Sequence, residues 1–171
     1  MSKKTKIVLD ADVIIHFSKG GCLSILPNIF TGYEYIVLSY VRDEIKGDIR
    51  NQLDNQISLL KNITLEEFNP SGDMLREYAK LNRLRGKGES ACMAYCKYNH
   101  DVLGSSNLRD IADYCKENGI TYLTTIDFLY FAIKKKVMSI AEAKQFISDV
   151  LSKGSKLPDI DIEKFVSQVE I

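Results

Sequence analysis

The sequence has few of the residues on which several common chemistries depend. It contains only two histidines, His16 and His100, among 171 residues. Its four cysteines are sparse and show no regular metal-binding or disulfide spacing. A Ser-His-Asp triad needs a histidine, and a zinc site needs histidines or cysteines at fixed spacing. We therefore expect neither of these sites and no disulfide scaffold, and the cysteine usage fits a reducing, cytoplasmic environment.

Long hydrophobic runs and an excess of one charge are also missing. The longest apolar run, residues 128–133, is far shorter than the roughly 20 residues that a membrane-spanning helix needs. The 23 Lys and Arg balance the 23 Asp and Glu, so no overall field draws the chain to nucleic acid or membrane. An apolar content of 45% suits one folded domain with a core. We expect a cytoplasmic protein with no membrane contact.

Short apolar runs alternate with helical patterns along most of the chain. This alternation predicts an α/β fold, a three-layer α/β/α sandwich with a central parallel sheet of about four to five strands. Right-handed crossovers place the carboxyl ends of such strands on one edge of the sheet. The main domain is expected over residues 1–154, with a helical insertion at about 52–84 and a C-terminal tail at 155–171.

Acidic residues follow or flank the predicted strand ends. They are Asp10, Asp12, Glu44, Glu89, Asp110 and Asp127. In parallel α/β folds, ligands bind at the edge where the strands end, so acids distant in sequence are expected to meet there. The place of Glu89 depends on how its helix packs, and Asp12 could instead cap the turn that follows. Gathered carboxylates repel one another, and Mg²⁺ or Mn²⁺, which prefer oxygen ligands, relieve this repulsion. The pattern therefore favours metal-dependent hydrolysis of a phosphodiester.

A short basic run precedes one of these acids. Arg83, Arg85 and Lys87 come just before Glu89, where they could hold substrate phosphates beside the metal. A solvated surface is the alternative for the same three side chains.

Several motifs together resemble PIN domains. They are the LDADVII opening, the helix with Val41 and Glu44, the GKGESACMAYC helix with Glu89, and the VLGSSNLRDI segment. PIN domains are metal-dependent ribonucleases that include the toxins of VapBC-type toxin–antitoxin pairs. The resemblance implies that Asp10, Glu44, Glu89 and Asp110 bind Mg²⁺ or Mn²⁺. It also implies that a metal-activated water cleaves single-stranded RNA.

Two positions depart from the common family pattern. Glu89 stands where the family often has Asp, and the turn at 105–107 has no acid. Asn107 and Asp110 do reproduce an Asn-x-x-Asp arrangement of some members. The polar residues expected to assist the four ligands are Asp12, Ser106, Asn107 and Asp127.

Two alternatives remain open at this point. The sequence Asp10-Ala11-Asp12-Val13 also resembles the first motif of haloacid-dehalogenase-type phosphatases, in which the first Asp is the nucleophile and the second an acid/base. The other alternative is a PIN-fold protein whose metal site has decayed and which binds RNA or a partner protein. Cleavage of RNA, turnover of a phosphomonoester, and binding without cleavage distinguish the ribonuclease, the phosphatase and the binding protein.

The resemblance to PIN domains also implies binding partners for this protein. A toxin of this kind is expected to bind single-stranded RNA and a cognate antitoxin, and to form a homodimer. The tail at 155–171 lies beyond the region of resemblance and is either a docking helix or a helix packed on the domain.

Overall fold

Five parallel strands form the centre of the computed structural model, which describes residues 2–171. The strands are β1 (Lys6–Leu9), β2 (Glu34–Leu38), β3 (Thr64–Glu66), β4 (Val102–Gly104) and β5 (Tyr122–Leu123). They are hydrogen-bonded in the order β3-β2-β1-β4-β5, and every pair is parallel. The order reverses beside β1, because β2 and β3 lie on one side of it and β4 and β5 on the other.

Eight α-helices within residues 2–171 flank the sheet. They are α1 (Ala11–Lys19), α2 (Ser39–Glu44), α3 (Gly47–Ser58), α4 (Gly72–Leu81), α5 (Lys87–Asn99), α6 (Leu108–Asn118), α7 (Thr125–Lys134) and α8 (Ile140–Ser152). Helices α1, α7 and α8 pack on one another, while α5 packs between α4 and α6. This arrangement confirms the predicted three-layer α/β/α sandwich.

The central strands and α5 supply most of the core. Ile7, Val8 and Leu9 of β1 are completely buried, as expected for a parallel strand covered by helices on both faces. In α5, residues 90–96 are almost wholly buried, including Cys92 and Cys96, which act as small apolar side chains. No helix within residues 2–171 combines the length and apolar character needed to cross a bilayer.

Two segments differ from the sequence-based expectations. The insertion at about 52–84 is not all helical, since β3 lies within it and pairs with β2 at the edge of the sheet. The tail at 155–171 forms no helix. Its packing side chains nevertheless include Ile162, which is buried, while Val166 is 60% exposed.

The reversal of strand order creates a crevice at the carboxyl ends of β1 and β4, where ligands bind in folds of this kind. The backbone N–H of Asp10, directly after β1, donates to the carbonyl of Gly104 at the end of β4 at 2.8 Å. The first residues after these two strands are thereby fixed side by side.

Candidate functional site

An open cavity of about 530 Å³ occupies this crevice. Five carboxylates line it, those of Asp10, Asp12, Glu44, Glu89 and Asp110. The structure thus gathers the four predicted metal ligands and one predicted helper, although they come from widely separated parts of the sequence. Ser106 and Asn107, two further predicted helpers, line the same cavity.

The first two acids are fixed by backbone and hydroxyl donors. Asp10 caps α1, and its Oδ1 accepts from the N–H of Ala11 at 2.8 Å. Its Oδ2 accepts from the Ser105 hydroxyl at 3.3 Å. Asp12 Oδ2 accepts from the N–H of Ser106 at 2.8 Å, so it ties the start of α1 to the loop after β4.

Glu44 reaches the cavity from the last residue of α2. Its Oε1 accepts from the N–H of Gly88 at 2.8 Å, in the first turn of α5. Backbone N–H groups at a helix start are otherwise unpaired and favour negative charge. The carboxylate is therefore held at the amino end of α5, next to Glu89.

Asn107 joins the two remaining acids. Its Nδ2 donates to Glu89 Oε2 and to Asp110 Oδ2, each at 2.7 Å. Glu89 and Asp110 lie in the first turns of α5 and α6, as the sequence predicts. One neutral amide thus bridges two carboxylates that would otherwise repel each other.

Burial and crowding make this cluster costly to ionise. Desolvation and the neighbouring Asp12 charge raise the pKa of Asp10 well above its usual range. Burial likewise raises the pKa of Asp12, against the lowering effect of its backbone donors, and that of Glu89, against the Asn107 hydrogen bond. Strongly shifted carboxyl groups in a cleft are typical of functional sites.

The chemistry of this donor set fits Mg²⁺ or Mn²⁺, which take oxygen ligands. One acceptor has no hydrogen bond to give up, because Glu89 Oε1 is buried and has no hydrogen-bond partner among the described residues, although the Arg85 guanidinium lies 3.8 Å away. Within residues 2–171, however, no three Asp, Glu, His or Cys side chains are grouped closely enough to form a ready-made metal site. The Asn107 amide, which lies between two of the expected ligands, accounts for part of that separation.

A histidine that the sequence did not single out also lines the cavity. His16 is 7% exposed, and its Nδ1 lies 2.7 Å from the Thr125 hydroxyl oxygen. Thr125 in turn accepts from the Ser106 hydroxyl at 2.8 Å. Burial, and to a lesser degree Lys19, lowers the pKa of His16 to about 4, so the ring is neutral near pH 7. It contributes a hydrogen-bonding group to the cavity wall rather than a charge.

The predicted phosphate-binding run is placed differently from the acids. Arg83 and Lys87 are exposed and are not part of the cavity wall. Arg85 is engaged within the protein, since its Nε donates to the Asp110 carbonyl at 3.1 Å and lies 3.8 Å from Glu89 Oε1. The cation that lines the cavity is instead Lys156, from the tail.

Asp127, the remaining predicted helper, lies outside the acidic cavity. Its carboxylate forms a capping box with Thr124 at the start of α7 and accepts from the Ser167 hydroxyl at 2.6 Å. It lines a second, more apolar cavity of about 810 Å³ between β5 and the tail. Its position after a strand was correctly expected, but its carboxylate is used to cap a helix.

Comparison with known proteins gives no assignment: no family model matches the chain, and no curated protein matches it.

Proposed function

We propose that the protein is a Mg²⁺- or Mn²⁺-dependent endoribonuclease that cleaves single-stranded RNA. The observation that carries the proposal is the convergence of five carboxylates in one open crevice at the point where the strand order reverses. Asp10, Glu44, Glu89 and Asp110 are the proposed ligands. The choice of RNA as substrate rests on the resemblance of the sequence motifs to PIN domains.

The residues around the ligands have separable tasks in this proposal. Asp12 and the Ser106 N–H hold the loop after β4 against α1, which keeps the Asp10 carboxylate facing the crevice. Asn107 spaces Glu89 and Asp110 until an ion binds. When bound, a divalent ion supplies an activated water and stabilises charge on the phosphodiester. A cognate antitoxin and a homodimer remain part of the proposal through the same resemblance.

One observation favours a second candidate, a binding protein of the same fold without nuclease activity. Asn107 is neutral and donates to one oxygen of Glu89 and one of Asp110, so it reduces their repulsion without a cation. Such a protein would bind RNA or a partner but would cleave nothing under any divalent ion.

The deciding experiment compares the wild-type protein with Asp10→Asn. Both are incubated with single-stranded RNA and with a phosphomonoester, in Mg²⁺, in Mn²⁺ and in EDTA. We expect RNA cleavage only with the ions, and a loss of about 100-fold or more in Asp10→Asn, because one ligand loses its charge. The exposed Asp113 on α6 provides the control, since Asp113→Asn should cleave like wild type.

The other outcomes separate the alternatives. Turnover of the phosphomonoester alone, with a phosphate trapped on Asp10, would establish the phosphatase instead. Binding of RNA without cleavage by the wild-type protein would establish the binding protein. Circular dichroism of each variant shows whether a loss of activity reflects a loss of fold.

A further inference from the structure

One residue of the acidic cavity has no role in the proposed metal site. Lys156 lines the cavity together with the five carboxylates. It makes no hydrogen bond or ion pair among the described residues and is exposed. The other basic side chain in the wall, His16, is neutral near pH 7 because burial lowers its pKa. Lys156 is therefore the cation that this cavity presents to an incoming anion.

The backbone that carries Lys156 is held against α1, the helix that Asp10 caps and that contains Asp12. Helix α8 ends at Ser152, and the chain turns at Gly154, whose φ of +82° suits glycine. Lys19, at the end of α1, donates to the Lys153 carbonyl at 2.9 Å and to the Ser155 hydroxyl at 2.8 Å.

The connection is reciprocal, because the ammonium N–H of Lys153 donates to the Lys19 carbonyl at 2.8 Å. These three hydrogen bonds, which we call the Lys19–Lys153 clamp, hold the turn against α1. The clamp involves residues adjacent to Lys156 but leaves its own ammonium unpaired. The fold thus places Lys156 at the crevice, and its ammonium group is free to bind an anion.

We propose that Lys156 binds a backbone phosphate of single-stranded RNA at the rim of the acidic cavity. This inference rests on the proposed function. A lysine on a flexible stem is a point charge suited to a phosphate that must be held without fixed orientation. Such a group also favours substrate binding, because a bound divalent ion offsets only part of the charge of five carboxylates. Arg85 cannot serve in its place, since it is engaged with Glu89 and the Asp110 carbonyl.

The test measures binding separately from cleavage. A fluorescently labelled polyuridine oligonucleotide is titrated with wild type, Lys156→Met and Lys156→Arg in Ca²⁺ over a range of salt concentrations, and cleavage is then measured in Mn²⁺. Lys164→Met is the matched control, because Lys164 lies in the same tail, is 85% exposed and pairs with Asp161.

We expect Lys156→Met to bind about three- to five-fold more weakly than wild type, as for loss of one exposed ion pair. The slope of log affinity against log salt should decrease by about 0.7, the value for one phosphate contact on a single strand. In cleavage, KM should rise with little change in kcat, because a rim contact binds substrate and transition state alike. Lys156→Arg should restore the affinity, the salt slope and KM, and Lys164→Met should match wild type in all three.

Two failures are distinguishable. If the wild-type protein neither binds nor cleaves RNA, the proposed function fails and the role of Lys156 fails with it. If the wild-type protein binds and cleaves while Lys156→Met keeps the same affinity, salt slope and KM, only the role of Lys156 is overturned. A general loss of stability would not reproduce the change in salt slope or its rescue by arginine.

Discussion

Gly88 holds the Glu44 carboxylate at the start of α5 through a 2.8 Å hydrogen bond from its backbone N–H to Oε1. The contact depends on the absence of a side chain, because a Cβ on Gly88 would lie 2.5 Å from Glu44 Oε2 and 3.0 Å from its Cδ. The glycine therefore positions a proposed metal ligand that lies far away in sequence.

The first prediction is that Gly88→Ala reduces activity without unfolding the protein. The added methyl group displaces the Glu44 carboxylate, so Mn²⁺ affinity and the kcat of RNA cleavage should fall by about 10- to 100-fold. Isothermal titration with Mn²⁺ and a cleavage assay measure the two effects. Gly86→Ala is the matched control, since its Cβ would stay 4.0 Å from Glu44 Oε1. Equal Mn²⁺ affinities for both variants would contradict the positioning role.

The second prediction concerns the amide that bridges Glu89 and Asp110. Asn107→Asp replaces a donor by a third carboxylate, so the metal-free protein should lose about 1–2 kcal/mol of stability. Mn²⁺ should then raise the Tm of the variant more than that of wild type, because the ion relieves a larger repulsion. Thermal unfolding with and without Mn²⁺ measures both. An unchanged metal-free Tm would show that the amide hydrogen bonds contribute little.

The positions of three acids could be predicted because they are tied to regular elements. Asp10 directly follows β1, while Glu89 and Asp110 lie in the first turns of α5 and α6. In a parallel sheet, residues that follow strand ends lie at the same edge, independently of the loop conformations. The convergence of Asp10 and Asp110 therefore followed from the strand pattern, whereas that of Glu89 depends on how α5 packs on the sheet.

Other features depend on tertiary contacts that no local pattern reveals. Strand β3 has only three residues, too few for a recognisable alternation, and forms because β2 offers it an edge. Lys156 reaches the cavity through the Lys19–Lys153 clamp, which joins two distant turns. Neither contact leaves a periodic signal in the sequence.

Arg85 and Asp127 make contacts with residues close to them in the sequence. Arg85 and Glu89 are four residues apart, so they pair with each other across the helix start. Asp127 stands three residues after Thr124, the spacing of a capping box, which keeps its carboxylate on its own helix. Both spacings are visible in the sequence and could have identified these roles.

The third prediction is a pH dependence due to His16. Because its pKa is lowered to about 4 in the folded protein, the ring stabilises the fold fully above its ordinary pKa near 6.5. That contribution is lost as the pH falls from 6.5 towards 4, by about 1–3 kcal/mol in total, because solvent near the ring reduces the full value of the shift. His16→Asn lacks the imidazole and should not show this loss. The free energy of unfolding of the variant should therefore rise relative to that of wild type as the pH falls from 6.5 towards 4. Urea unfolding at several pH values measures the difference, in which the acids common to both proteins largely cancel.

The fourth prediction tests whether the tail is part of the folded domain. Ile162 is 4% exposed, so Ile162→Ala should lower the free energy of unfolding by about 2–3 kcal/mol through lost burial and a residual cavity. Val166 lies in the same tail but is 60% exposed, and Val166→Ala should change stability by less than about 0.5 kcal/mol. Urea unfolding of both variants measures the contrast. Equally small effects in both variants would mean that the tail contributes nothing to stability. The hydrogen bond from Ser167 to Asp127 would then not hold the tail on the domain.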